Sequence, residues 1–279
     1  MTPHYKNFVR KLIPVAVHKI ATIAFLILLP SSILSPQSSE EHPELEKFYK
    51  QRNIKGCFLL YDLNQNKYLG YNLSRTDSAF IPASTFKIFN SLVALETGVI
   101  KDENEIIKWD GVDRNYSEWN KDNNMRSAFK YSVVWFYQEL ARRIGQSRMQ
   151  KYIDTVGYGN KNINGGIDLF WLQGDLRITP KEEISLLVKL YKNDLPFSQR
   201  TTDIVKDIMI FEKTDKYILR AKTGWGARVT PQTGWFVGYV VRGNNVFFFA
   251  NNIDIYKDDD ANERIPISKD ILKYLNIID

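Results

Sequence analysis

Pro82-Ala83-Ser84-Thr85-Phe86-Lys87 stands at the start of a predicted helix that covers residues 84–96, with Gly98 as a stop signal. On a helix, Ser84 and Lys87 share one face because they are three residues apart. The first turn also offers unpaired backbone N–H groups that favour developing negative charge. The stretch makes Ser84 a candidate nucleophile and Lys87 its candidate base. Taken alone, Ser-x-x-Lys is more simply a helix N-cap followed by an exposed lysine.

The neighbours of Lys87 change that weighting. Phe86, Ile88 and Phe89 surround it in sequence with bulky apolar groups. Desolvation disfavours the ammonium form and lowers the pKa of a lysine. A neutral lysine amine can act as a base, or it can react with carbon dioxide to give a carbamate.

Histidine and cysteine are too scarce for several familiar catalytic sites. The histidines are His4, His18 and His42, and the single cysteine is Cys57. If residues 43–279 form the working body, a Ser-His-Asp triad, a Cys-His pair and a His-ligated zinc site are excluded, so we expect no metal. One cysteine also excludes an intrachain disulfide. Proton transfer near neutral pH must then come from a Lys, Glu, Asp or Tyr with a perturbed pKa.

Three further short motifs follow in the chain. They are Ser132-Val133-Val134, early in a predicted helix, Tyr158-Gly159-Asn160, a turn signal, and Lys222-Thr223-Gly224, at the end of a predicted strand. Each is more simply read alone as a buried helix, a loop or a strand edge. All of them in this order after the Ser84 motif are improbable by chance, so we expect one site.

The patterns predict an α/β fold of the α+β type. The chain is 44% hydrophobic and 25% charged, which excludes a disordered chain, a collagen and a coiled coil. Strands near both ends predict one antiparallel sheet built from the N- and C-terminal segments and flanked by helices, with a mainly helical middle region. The predicted strands are 57–61, 67–71, 217–222, 234–241 and 245–252. The predicted helices are 84–96, 128–144, 180–192, 203–211 and 266–277.

The first 35 residues resemble a signal peptide. Basic residues precede an uncharged apolar run at 20–29 that would rise only about 15 Å as a helix, too short to span a bilayer. We therefore expect residues 1–35 to be an export signal and 36–279 to be a single domain; an uncleaved anchor or a buried helix are the alternatives. Four of the net +6 charges lie in 1–35, so their removal leaves +2. No basic run suggests nucleic acid as a partner.

From about residue 55 onward the chain resembles the class D, or oxacillinase-type, β-lactamases of the penicillin-recognising serine enzymes. The Ser84, Ser132, Tyr158 and Lys222 motifs carry the resemblance. Phe170-Trp171-Leu172 and Gly234-Trp235 also resemble segments of that family. The resemblance implies a serine β-lactamase/transpeptidase-like fold, hydrolysis of the β-lactam ring of penicillin-type antibiotics, and a role in antibiotic resistance.

The resemblance also implies how the base works. Ser84 would attack the lactam carbonyl, and Lys87 would be an N6-carboxylysine that serves as general base for acylation and deacylation. Trp171 would hold the carbamate, and Val134 and Leu172 would form its apolar wall. No metal or organic cofactor is implied beyond carbon dioxide or bicarbonate for the carboxylation.

The remaining assignments concern the leaving group and the substrate. Ser132 would relay a proton towards the leaving nitrogen with support from Lys222, and the backbone N–H groups of Ser84 and Trp225 would form the oxyanion hole. Thr223 and Arg264 would bind the substrate carboxylate. Further residues assigned to substrate binding or to the cleft mouth are Gly224, Tyr158, Tyr116 and Trp119.

The resemblance implies a small β-lactam as the partner. It also implies an exported, periplasmic protein, either a monomer or a homodimer, with no stable membrane insertion after signal cleavage. A β-lactam-binding sensor domain that acylates without turning over is the main alternative. A cell-wall peptidase is a second, although such enzymes usually have Ser-x-Asn where this chain has Ser132-x-Val134. An inactive relative with a structural role is the third.

Overall fold

The structure is a computed structural model that describes residues 1–2 and 39–279. The predicted export signal at 1–35 lies outside these residues, except for its first two. Residues 39–279 belong to one compact unit, which contains everything described below.

A mixed sheet forms the centre of this unit. Its strands pair in the order β1-β3-β2-β7-β6-β5-β4, and all neighbours are antiparallel except β1 and β3. N-terminal β2 pairs with C-terminal β7, with Phe58 opposite Asn251. The strands are β1 (Ser39–Glu41), β2 (Gly56–Asp62), β3 (Lys67–Tyr71), β4 (Ile210–Lys213), β5 (Tyr217–Trp225), β6 (Gln232–Arg242) and β7 (Asn245–Ile255).

Helices cover both faces of the sheet. One face packs on the larger core, which holds Phe89 and Leu187; the other packs on a smaller core around Tyr49 and Ile271. Because both faces are covered, β2 and the middle of β6 are buried along both sides. The helices are α1 (Glu46–Lys50), α2 (Leu73–Thr76), α3 (Lys87–Glu96), α4 (Met125–Lys130), α5 (Val134–Ile144), α6 (Gln146–Val156), α7 (Pro180–Lys192), α8 (Gln199–Ile208) and α9 (Arg264–Tyr274).

The predicted fold class is confirmed. Strands from both ends of the chain build one sheet, and the middle of the chain is mainly helical. A capping box precedes α7, because the Thr179 side chain accepts from the Glu182 backbone N–H and the Glu182 carboxylate accepts from the Thr179 N–H.

Two helix predictions were wrong. The predicted helix at 128–144 is broken into α4 and α5, and Ser132 lies in the break with a φ of 58°. The predicted helix at 203–211 starts earlier, as α8, and ends at Ile208. Ile210 and Phe211 then belong to β4, an edge strand that pairs with β5. Strand pairing outweighs helical spacing there.

Candidate active site

Ser84 lies in a short 3-10 turn, Ala83–Phe86, that leads directly into α3. Its Oγ accepts a hydrogen bond from Lys87 Nζ at 2.7 Å, so the i, i+3 contact predicted from the sequence is formed. The turn is unusual because Ala83 adopts a φ of 49°, in the left-handed region. Strain of this kind persists only where the surroundings hold it. Thr85 supplies one restraint, since both its N–H and its Oγ donate to the Pro82 carbonyl.

Lys87 is fully buried. Desolvation holds the pKa of its amine well below the ordinary value, and the nearby cations Lys222 and Arg228 lower it further. The amine lies 5.3 Å from the centroid of the Tyr137 ring, and no carboxylate in residues 39–279 pairs with it. A buried amine with a lowered pKa and no anionic partner is suited to accept a proton.

Trp171 packs against the same turn. Its ring stacks on Phe86 at 5.3 Å, and its side chain is fully buried. Within residues 39–279, the indole Nε1–H has no hydrogen-bond partner. Buried donors are nearly always paired, so this donor is free to bind an acceptor.

Ser132 and Lys222 form a second hydroxyl–amine pair. Lys222 Nζ lies 3.1 Å from Ser132 Oγ. Ser132 has a left-handed backbone in the break between α4 and α5, and this conformation directs its side chain towards Lys222. The expectation that Ser132 sits within a helix was therefore wrong, but Lys222 is next to it as expected. Burial, followed by the charge of Arg264, lowers the pKa of Lys222 to about 7.

Arg264 stands at the start of α9, where its Nη1 donates to the Gly224 carbonyl at 2.8 Å. Partial burial lowers the pKa of its guanidinium to about 10. A side chain at Gly234 would fill this space, since a Cβ there would come within 2.9 Å of Arg264 Cδ. The small residue on β6 therefore lets the guanidinium reach the end of β5.

These elements surround a cleft of about 460 Å³, within the range of small-molecule sites. Tyr116 and Trp119 lie along it with their ring centroids 5.1 Å apart, as expected for its mouth. No histidine of the described residues lines it. The lining residues are Ser84, Tyr116, Trp119, Tyr131, Ser132, Val134, Leu172, Thr223, Gly224, Trp225, Ala227, Arg228 and Arg264.

Tyr131 was not singled out in the sequence, because nothing in its local pattern distinguishes it from a loop residue. Ala227 and Arg228 lie in residues 226–232, a segment that we expect to set the substrate range but in which the sequence names no single residue. Arg228 is exposed, yet its charge is felt by Lys87. Only the fold brings the loop after β5 over the cleft.

Tyr158 does not line the cleft, so the prediction that it binds substrate is corrected. It is buried behind the Ser84 turn, with its ring 5.4 Å from Phe86 and 5.0 Å from Phe89. Its motif sits there because Gly159 has a φ of 49° and lies against the Arg177 backbone. The motif shapes the wall behind the turn.

Two general features hold for the described part of the chain. No three His, Cys, Asp or Glu side chains are grouped so that they could bind a metal ion. No helix there has the length and apolar character needed to cross a membrane.

Comparison with known proteins identifies relatives over the whole of this unit. The penicillin binding protein transpeptidase domain family matches residues 56–273. Beta-lactamase OXA-48 of Klebsiella pneumoniae is 44% identical over 265 residues, which cover 93% of this chain and 99% of that protein. The crystal structure of the class D β-lactamase YbXI from Nostoc is 54% identical, with a TM-score of 0.82 over 84% of this chain and 99% of that one.

A protein of a different kind is also similar. The regulatory protein BlaR1 of Bacillus licheniformis is 35% identical over 233 residues, which cover 83% of this chain and 39% of that protein. The full-length matches, the solved structures and the paired serines and lysines around one cleft agree: the chain belongs to the class D β-lactamases.

Proposed function

We propose that this protein hydrolyses the β-lactam ring of penicillin-type antibiotics through an acyl-enzyme on Ser84, and so confers resistance to them. The observation that carries the proposal is the 2.7 Å contact between Ser84 Oγ and the buried, ion-unpaired amine of Lys87. A hydroxyl held against a base is the arrangement that nucleophilic catalysis needs.

In acylation, one bond forms and one bond breaks at the lactam carbonyl carbon. The oxygen of Ser84 bonds to the lactam carbonyl carbon, the carbon–nitrogen bond breaks, and the Ser84 proton passes to the base at Lys87. The lactam nitrogen takes up a proton through Ser132, which Lys222 supports from 3.1 Å. Because the pKa of Lys222 is lowered to about 7, the amine can exchange protons near neutral pH.

We propose that Lys87 works as its N6-carboxylated form. The unpaired Nε1–H of Trp171 supports this, because it is a buried donor next to the Lys87 turn that lacks an acceptor. Val134 and Leu172 would close the apolar side. A carboxyl group on Nζ would supply an oxygen base both for the Ser84 proton and for the water that deacylates the enzyme.

Substrate binding is assigned to the far end of the cleft. The backbone N–H groups of Ser84 and Trp225 would stabilise the oxyanion, to which one such donor contributes about 3–4 kcal/mol. Thr223 and Arg264 would bind the substrate carboxylate, with Gly224 forming the adjoining edge. The guanidinium of Arg264 gives a carboxylate two donors in a fixed fork.

We further propose that residues 1–35 direct export and are then removed, so that residues 36–279 act in the periplasm. Measuring the mass of the protein released from the periplasm tests this. A protein that keeps its first residues and stays with the membrane would contradict it.

The function is tested by a time course with purified protein and a chromogenic cephalosporin, with and without bicarbonate. We expect sustained turnover that bicarbonate strengthens, and that acid treatment weakens until bicarbonate is restored. Activity that ignores bicarbonate after acid treatment would refute the carboxylated lysine while leaving the hydrolase intact.

A β-lactam sensor is the second candidate, and the similarity to BlaR1 favours it. The same time course separates the two functions. A sensor gives a single burst of one equivalent and a stable mass increase on Ser84, whereas the hydrolase returns to the free enzyme.

A further inference from the structure

Behind the Ser84 turn lies a buried carboxyl group that the proposed mechanism does not use. Glu183, near the start of α7, is fully buried, and its Oε1 lies 2.5 Å from Thr85 Oγ. Thr85 is the residue that follows the nucleophile. The other carboxyl oxygen of Glu183, Oε2, has no hydrogen-bond partner within residues 39–279.

The hydrogens at this contact can be counted. Thr85 Oγ carries one hydrogen and lies within hydrogen-bond distance of two oxygens, the Pro82 carbonyl at 2.9 Å and the Glu183 carboxyl. A carbonyl oxygen can only accept. If Thr85 donates to Pro82, the hydrogen in the other bond must come from Glu183, which is then a neutral carboxylic acid.

The electrostatics of the site agree with this count. Burial raises the pKa of Glu183 to about 7; a hydrogen bond donated by Thr85 would act against this rise, and the exposed carboxylate of Glu182 on the same helix acts with it. Tyr158, the other ionisable group facing Glu183, is buried, and this burial raises the pKa of its hydroxyl well above the ordinary value, so Tyr158 adds no charge there. No Lys or Arg in residues 39–279 stabilises the charged form of Glu183.

The Ser84 turn depends on the hydrogen bond from Thr85 Oγ to the Pro82 carbonyl. Pro82 O accepts from both the N–H and the Oγ of Thr85, and Ala83 between them is held at a φ of 49°. A Cβ at Gly224 on β5 would come within 2.9 Å of the same Pro82 carbonyl, so the turn is wedged between α7 and the strand beside the cleft. An ionised Glu183 would draw the Thr85 hydrogen away from Pro82.

We infer that Glu183 is a positioning residue that acts in its neutral form, giving its hydrogen to Thr85 so that Thr85 keeps Pro82 and the Ser84 turn in place. This inference rests on the proposed acylation of Ser84. It predicts that the turn loosens when Glu183 loses its proton.

Glu183→Gln tests the proposal, because an amide keeps both a donor and an acceptor but cannot ionise. Acylation rates of wild type and variant are compared as a ratio from pH 6 to pH 8.5. A carboxyl with a pKa of about 7 is about 90% neutral at the first pH and about 3% neutral at the second. We expect near-equal rates at pH 6, and a wild-type-to-variant ratio that falls by at least about threefold by pH 8.5.

Glu44→Gln is the matched control. It makes the same change at an exposed carboxylate that does not act on the pKa of Glu183. Its ratio to wild type should be independent of pH. Two outcomes overturn the proposal. If the rate ratio for Glu183→Gln is also independent of pH, the charged form of Glu183 is harmless. If the rate of this variant at pH 6 is more than about tenfold below that of wild type, the charged form is required.

Two measurements need no catalysis, so they separate this proposal from the proposed function. The infrared spectrum of wild type should contain the carbonyl stretch of a protonated carboxylic acid that disappears as pH rises through 7. The urea midpoint of wild type should fall relative to Glu183→Gln between pH 4.5 and 7, since a raised pKa gives stability that is lost as the proton leaves. Absence of the band overturns the proton assignment even if the variant fails to fold.

Discussion

Replacing Trp171 by phenylalanine tests whether the indole N–H holds a carboxyl group on Lys87. Phenylalanine keeps the stacking on Phe86, which has a centroid distance of 5.3 Å, and removes the unpaired Nε1–H. That donor satisfies no group within residues 39–279, so its loss should cost the apo fold little. If it binds the carboxyl group on Lys87, the lost hydrogen bond to a charged acceptor amounts to about 1.5–3 kcal/mol.

In terms of carbon dioxide binding, this energy is a factor of about 10 to 100. We therefore expect the bicarbonate concentration that gives half-maximal turnover to rise by about that factor in Trp171→Phe, with the rate at saturating bicarbonate largely recovered. Steady-state rates across a bicarbonate series, measured at constant pH and ionic strength, provide the readout.

Trp109→Phe is the control for this series. The Nε1–H of Trp109 donates to the Val112 carbonyl, outside the cleft lining. Its bicarbonate curve should overlay that of wild type. An unchanged half-maximal concentration in Trp171→Phe would refute the reasoning that the indole holds the carboxyl group.

Three further predictions concern the cations. Lys87→Ala should lose deacylation and lower turnover by at least about 100-fold, while the exposed Lys151→Ala leaves it intact; full turnover without Lys87 would rule out its role as base. Arg264→Ala should raise KM about 10- to 100-fold by removing a charged hydrogen bond to the substrate carboxylate, and Arg264→Lys should recover only part of this; steady-state kinetics with an unchanged KM would contradict the assignment. Lys222→Met should raise the urea midpoint at pH 7. In wild type the midpoint should rise between pH 7 and 10.5, because the pKa of Lys222 is about 7 in the native state and the unfolded chain binds more protons in that range. The variant should show a flatter rise. A wild-type-minus-variant difference that does not vary with pH would show that Lys222 is not desolvated.

Local sequence was sufficient to predict the pieces of the site that depend on short spacing. Ser84 and Lys87 meet because they are three positions apart on one helical turn, and this holds even though that turn is 3-10. The end of β5 at the Lys222 motif and the two strands that follow it, β6 and β7, were also recognisable from β-branched and aromatic runs.

What failed depended on contacts distant in sequence. The break between α4 and α5 carries no glycine or proline, and Ser132 holds a left-handed conformation next to Lys222, which lies 90 residues away. Strand β4 exists only because β5 offers it a partner. No local pattern contains either constraint.

Glu183 left a signal that could have been used. It lies four residues before Leu187 and seven before Leu190, on the buried stripe of α7. A carboxylate on such a stripe is expensive unless it is neutral or paired. Its partner, Thr85, could not be named without the fold.

The pairing of β2 with β7 sets the time at which this enzyme can first become active. Phe58 meets Asn251 across that pair, so the central sheet cannot close until almost the whole chain has been delivered. A growing chain that ends before residue 245 leaves β2 with an open edge, and it lacks Arg264 as well. Antibiotic resistance from this protein should therefore be lost on C-terminal truncation that removes β7, and the unfinished chain is the form most exposed to aggregation and proteolysis.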